Sequence, residues 1–106
     1  VGEIDPPLII SLLPEKRAYV YPNPIRNGDR AKIRFYISNT ADVRATIYNP
    51  LGEKVDDLTH SNPQPNTENE ISWDVSDYAS GFYICRLEAS NGTQTEVRFI
   101  KVAVIK

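Results

Sequence analysis

Apolar side chains recur at every second position along most of this chain, in short runs bounded by turn residues. In 30–38, Ala31, Ile33, Phe35 and Ile37 alternate with Lys32, Arg34 and Tyr36. Val43, Ala45 and Ile47 do the same against Arg44, Thr46 and Tyr48. Ile71, Trp73 and Val75 share one phase, and so do Tyr83, Cys85 and Leu87. A β-strand sends successive side chains to opposite faces, so this period of two marks strands with one buried face. No stretch carries the 3.6-residue period of an amphipathic helix, and there are no heptads.

Turn chemistry separates the runs. Asn27-Gly28-Asp29, Asn49-Pro50-Leu51-Gly52 and Ser90-Asn91-Gly92-Thr93 punctuate the chain, Asn-Gly being a strong hairpin signal. The predicted strands are 17–21, 30–38, 42–49, a weaker 53–59 carrying Val55 and Leu58, 70–75, 81–89 and 95–105. A polar loop over 60–69 holds Pro63 and Pro65, and a second loop spans 76–80. The last strand poses a phase problem. With Val97 and Phe99 turned inward, Lys101 follows them into the core, so a bulge near Ile100–Lys101 is expected to bring Val102 and Val104 back to the inner face. About seven short strands with turns every 8–12 residues indicate an all-β, antiparallel, immunoglobulin-like β-sandwich.

A chain of 106 residues is one ordinary domain, and 41% hydrophobic content suffices for a core without disulfide or metal. Residues 1–16 read differently. Pro6, Pro7 and Pro14 bracket the apolar run 8–13, which predicts a linker or an extra edge segment from a preceding domain, with the sandwich over 17–106. That run is too short to span a bilayer. The opening Val1-Gly2-Glu3-Ile4-Asp5 has no basic leader, as expected of a piece of a longer chain. A net charge of −2 gives no basic excess for nucleic acid or an anionic membrane.

Catalytic chemistry finds little purchase. His60 is the only histidine and lies in a proline-rich loop with no nucleophile signature beside it. Cys85 is the only cysteine; it cannot form an internal disulfide, and its position in mid-strand suits a small core residue. One Cys and one His cannot complete a standard zinc site. Glu70, Asp74 and Asp77, or Asp56 and Asp57, are acids near loops, but no Asp-x-Asp-x-Asp-Gly run gathers them for calcium. Tyr19, Tyr21, Tyr36 and Tyr48 are candidates for a sugar-stacking platform, against the plainer reading of cross-strand packing. Asn91-Gly92-Thr93 matches a glycosylation sequon but also suits a hairpin turn. The chain is therefore expected not to be an enzyme, and neither metal nor cofactor is expected.

A series of ordered pieces resembles a known family. Tyr19-Val20-Tyr21-Pro22-Asn23-Pro24 is followed by 31–38, 41–49 and Leu51-Gly52-Glu53-Lys54-Val55. Ile71-Ser72-Trp73-Asp74, Ser80-Gly81-Phe82-Tyr83 and the closing 99–106 complete it. Together, over about 17–106, they resemble the C-terminal sorting domains of the type IX secretion system. The Trp-Asp and Gly-x-Tyr elements are also similar to the immunoglobulin-like domain of flagellar hook-capping proteins, but only 74–80 separates Trp73 from Gly81, shorter than in that family.

The resemblance implies a non-enzymatic domain that directs an N-terminal cargo domain of the same bacterial chain across the outer membrane to the cell surface. Its implied partners are the outer-membrane secretion translocon and a sortase-like protease. The carried-over recognition residues are Pro22, Asn23, Pro24, Gly52, Gly81, Lys101 and Lys106. Pro22 and Pro24 would stiffen the entry to the sandwich, and Gly52 and Gly81 would serve backbone geometry. Lys101 and Lys106 would stand at the end of the last strand, where a partner strand could pair. The rival readings are a structural module of the hook-capping or surface-stalk type and a carbohydrate-binding accessory module of a secreted glycosidase.

Overall fold

A computed structural model describes residues 11–106. A single 3-10 turn over Glu15–Arg17 leads into eight strands among the described residues. These are β1 (Tyr19–Tyr21), β2 (Ile25–Arg26), β3 (Ala31–Tyr36), β4 (Asp42–Tyr48), β5 (Lys54–Thr59), β6 (Glu68–Trp73), β7 (Gly81–Ser90) and β8 (Thr95–Ile105). They form a three-stranded sheet, β1-β3-β6, and a five-stranded sheet, β2-β8-β7-β4-β5. The first strand of the sandwich is thus divided. β1 pairs with β3 in the small sheet, and after Pro22-Asn23-Pro24 the chain rejoins as β2 beside β8 in the large one. The β2–β8 ladder is parallel, and the other ladders are antiparallel. A two-residue strand has no period to display, so β2 is the strand beyond the predicted seven.

The alternating runs meet as their spacing predicts. Ala31, Ile33 and Phe35 of β3 and Ile71 and Trp73 of β6 face Val43, Ala45 and Ile47 of β4 and Tyr83, Cys85, Leu87 and Ala89 of β7, all buried. Register is held within each sheet, with Ile33 opposite Ile71 and Ile47 opposite Cys85. Burying such side chains contributes about 1.5–3 kcal/mol each, so the shared inner layer is the main force joining the sheets. Burial also pushes the Cys85 thiol up to about 12, which leaves it a neutral core group.

Two polar links close one end of the sandwich. Tyr83 at the start of β7 donates its hydroxyl to the Ala79 carbonyl at 2.7 Å, the tyrosine corner of immunoglobulin-like sandwiches. Trp73 Nε1 donates to the Tyr78 hydroxyl at 3.1 Å, and that hydroxyl donates to Asp56 Oδ2 at 3.0 Å. The relay ties β6 in the small sheet to β5 at the edge of the large one.

The expected bulge in the last strand is absent. β7 and β8 pair in unbroken register from Gly81 opposite Val104 to Ser90 opposite Thr95. Ile100, Val102 and Val104 share the inner face with Arg98 and Glu96, while Val97, Phe99 and Lys101 point outward. The prediction misplaced Val97 and Phe99 because both faces of this strand carry apolar residues, and alternation alone cannot choose between them.

Glu96 and Arg98 can face inward because residues 11–13 cover them. Leu12 and Leu13 are fully buried in the common core. The Leu13 N–H and the Ser11 hydroxyl both donate to Glu96 Oε1, at 2.9 and 2.7 Å. Ser38 N–H donates to the Leu12 carbonyl, fixing the same segment to the end of β3. The segment expected to be a linker or an extra edge segment contributes core side chains at Leu12 and Leu13; its part before Ser11 lies outside the described residues.

Candidate recognition surface

Asn23 acts as a short piece of strand. Its Nδ2 donates to the Lys101 carbonyl at 3.0 Å, and its Oδ1 accepts from the Ala103 N–H at 3.1 Å. One side-chain amide thus satisfies two backbone groups on the edge of β8, the work of a neighbouring strand. The flanking prolines, both preceded by cis peptide bonds, bridge buried Val20 in one sheet and buried Ile25 in the other. Pro22, Asn23, Pro24 and Lys101 are therefore one locality.

Gly52 and Gly81 form a second. Gly52 closes the β4–β5 turn at φ +82°, a left-handed conformation that disfavours a side chain, with its N–H donating to the Asn49 carbonyl at 2.9 Å. Asn49 Oδ1 accepts from the N–H groups of Leu51 and Glu53, which holds the turn shut. A Cβ on Gly81 would lie 3.1 Å from Pro50 Cγ in that same turn. The glycine lets the start of β7 pass under the turn.

Lys106 forms a third. Its N–H donates to Ser80 Oγ at 2.9 Å, and its ammonium donates to the Val75 and Ser76 carbonyls at 2.8 and 3.3 Å. Asp74 lies below the usual carboxylate range, chiefly because the Ser76 N–H donates to it, with Lys106 adding to the effect. Lys106 is thus buttoned onto the 74–80 loop. Lys101 instead stands exposed, its ammonium 4.5 Å from the Phe82 ring centroid.

These localities share the end of the sandwich where β4 and β8 finish and β7 begins, as the pairing of Gly81 with Val104 and Tyr48 with Ile84 places them. Ser11, bonded to Glu96 near the start of β8, lies at the opposite end. Between the ends runs an apolar outer face that the sequence reading missed. Phe82, opposite Ala103, is 59% exposed and Phe99, opposite Arg86, 69%, with the Ile84–Lys101 pair between them and Val97 beyond Phe99, opposite Glu88. Its one available signal was that β7 and β8 are apolar in both phases, which implies a second apolar surface.

The family model of the secretion system C-terminal sorting domain matches residues 19–102. The chain belongs to this family. The matched range contains every carried-over residue except Lys106, and it begins after the buried Leu12 and Leu13. Comparison with curated proteins and with solved structures returned no significant match. The family is one of type IX sorting domains rather than of catalytic ones, and membership implies a secreted parent chain. Among the described residues of this sorting domain, no helix is long and apolar enough to cross a membrane.

The side chains considered for other chemistry have ordinary occupations in the sorting domain. His60 stacks edge-on against Phe35, and its Nδ1 accepts from the Asn62 N–H. Asp57 pairs with Arg44 and Lys54, and Glu70 with Arg34. Among the described residues no three His, Cys, Asp or Glu side chains are placed to hold a metal ion. Tyr19, Tyr21 and Tyr36 lie on the outer face of the small sheet, away from Tyr48 in the large one. Arg17 covers the Tyr36 ring at 3.9 Å and Arg34 the Tyr21 ring at 4.7 Å, so two of the rings offered to a sugar already carry a guanidinium.

Proposed function

We propose that this sorting domain is a non-enzymatic address tag that directs an N-terminal cargo of the same chain across the outer membrane to the cell surface. Its partners in this reading are the outer-membrane translocon and, after transit, a sortase-like protease. Pro22, Asn23, Pro24, Gly52, Gly81, Lys101 and Lys106 shape or contact the recognised surface. Gly52, Gly81 and Lys106 act by holding the backbone, and Lys101 is the member free to touch a partner. The observation that carries this reading is polarity along the sandwich. The chain arrives from the cargo side at Ser11, and the motif residues gather at the other end, where an attached cargo leaves them accessible.

The test is a periplasmic reporter fused ahead of residues 11–106, beginning at Ser11 so that Leu12 and Leu13 are kept. In a host with a type IX system the reporter reaches the surface and becomes sensitive to added protease. Retention in the periplasm at the level of a translocon-deficient host would overturn the reading. A glycan array separates the carbohydrate-binding rival, which requires a binder.

A further inference from the structure

The geometry points to strand addition along 95–100 of β8 as the way this domain is held, by an extended protein segment with apolar side chains and an acidic one set against Lys101. The inference rests on the sorting reading and names the mode and chemistry of its partner. Backbone parity comes first. The Ala103 N–H and Lys101 carbonyl point to the open edge of β8, where Asn23 meets them. In an antiparallel ladder every second residue turns its backbone groups the same way, so Val97 and Phe99 also direct theirs to the open edge. The groups of Ile100, Arg98 and Glu96 serve the ladder with β7.

The end of β8 near Lys106 is already occupied. β2 pairs with Val104 and Ile105, and Asn23 clamps 101–103. Among the described residues the open edge is the stretch upstream, where the only capping contact is from the Arg98 guanidinium to the Val97 carbonyl at 3.0 Å. A strand added there would stop against the Asn23 clamp, which fixes its register.

The side chains agree with the backbone. The residues whose amides face the open edge, Val97 and Phe99, also carry outward apolar side chains, set opposite Glu88 and Arg86 of β7, while Phe82 lies four residues further along the ladder, opposite Ala103. An incoming strand would therefore gain main-chain bonds and cover exposed aromatic surface in one docking step. Charge selects its composition. Arg86 is paired with Glu88 and Arg98 with Glu96, whereas Lys101 has no acidic partner among the described residues. A second copy would bring the same unpaired cation to the same face, so charge complementarity favours a distinct partner carrying an acid.

The experiment uses the reporter fused ahead of the whole chain, residues 1–106, with three variants. Val97→Pro removes an edge donor while leaving the β7 ladder, Lys101→Glu reverses the lone charge, and Lys54→Glu places an equal reversal on β5 as control. Surface delivery is expected to fall by about tenfold or more for Val97→Pro and Lys101→Glu, and to stay within about twofold for Lys54→Glu. Thermal unfolding of each purified domain confirms that the variants are folded; if Val97→Pro does not fold, Val97→Asp on the same outer face replaces it. Delivery of the parent fusion with undiminished delivery of the folded edge variants overturns strand addition and leaves the sorting reading standing. Retention of the parent fusion sinks the sorting reading itself. A dimer in sedimentation that Val97→Pro abolishes would assign the edge to a second copy, against the proposal.

Discussion

Asn23 replaces a strand with one amide group, and its contribution can be measured. In Asn23→Ala the Lys101 carbonyl and Ala103 N–H lose their partners and turn to water, since this edge is exposed. The expected loss is about 1–2 kcal/mol of unfolding free energy in urea, the size of two modest hydrogen bonds. Asn23→Asp is expected to be no better, because a carboxylate cannot donate to the Lys101 carbonyl and repels it. Equal midpoints for all three proteins would show the clamp to be energetically idle. Tyr78 is the other informative single residue. Burial pushes its hydroxyl well above the ordinary tyrosine range, so it stays protonated and keeps donating to Asp56. In Tyr78→Phe, Trp73 Nε1 loses its acceptor while only 2% of that residue is exposed. The change is expected to cost about 1–3 kcal/mol and to speed amide exchange in β5; slow exchange in β5 would place the tie between the sheets elsewhere.

Among the elements, the segment over 11–13 and the strand β8 depend on each other. Starting the domain at residue 17 removes two fully buried leucines from the core. The loss is expected to be about 3–6 kcal/mol on the burial scale, visible as a large drop in melting temperature against 11–106. Matching melts would mean that the sandwich closes without them. The same contact makes stability sensitive to acid. Burial pushes the Glu96 carboxyl up, but hydrogen bonds from the Leu13 N–H and the Ser11 hydroxyl, with Arg98 nearby, outweigh it and leave the group below its usual value. A lowered folded-state value means the contribution is present above the unfolded carboxylate value of about 4.3 and is lost as pH falls through the folded one. Glu96→Gln is therefore expected to flatten the acid limb of the stability curve while changing its slope little above that pH. An acid limb identical to the parent's would show that Glu96 takes no part.

Across the whole molecule, division of labour between the ends follows from where the chain enters. Ser11 docks beside Glu96 near the start of β8, and Lys106 is held against 75–80 at the other end. A cargo ahead of Ser11 then leaves the motif residues at the other end uncovered, whereas a strand added along 95–100 lies on the near half of β8, beside the segment at Ser11. β3, β4 and β6 were legible in the chain because each has one wet and one dry face, so period two is unambiguous; in β7 the same holds only past Ile84, where Arg86 and Glu88 alternate with Cys85, Leu87 and Ala89. Where both faces are apolar, as in β8, the period was visible and the phase was not. The candidate site followed the same division: the motif residues could be named in advance, but the Phe82–Phe99 face could not, since apolar residues on a strand read as core until something shows which side is wet.

Alternation and turn residues by themselves determined that this chain would make short strands, roughly where each begins and ends, and that two sheets would close on a dry layer. These properties depend on neighbours a few residues apart, which a linear sequence displays. Tertiary structure alone decided that Leu12 and Leu13 belong to the core, that Glu96 faces inward beneath them, that Asn23 clamps the backbone of 101–103, and that the open edge lies upstream of Lys101. Each of these joins groups separated by 78 residues or more, or depends on which face of a strand finds cover. Such pairings are fixed by packing energy over the whole sandwich rather than by local preference.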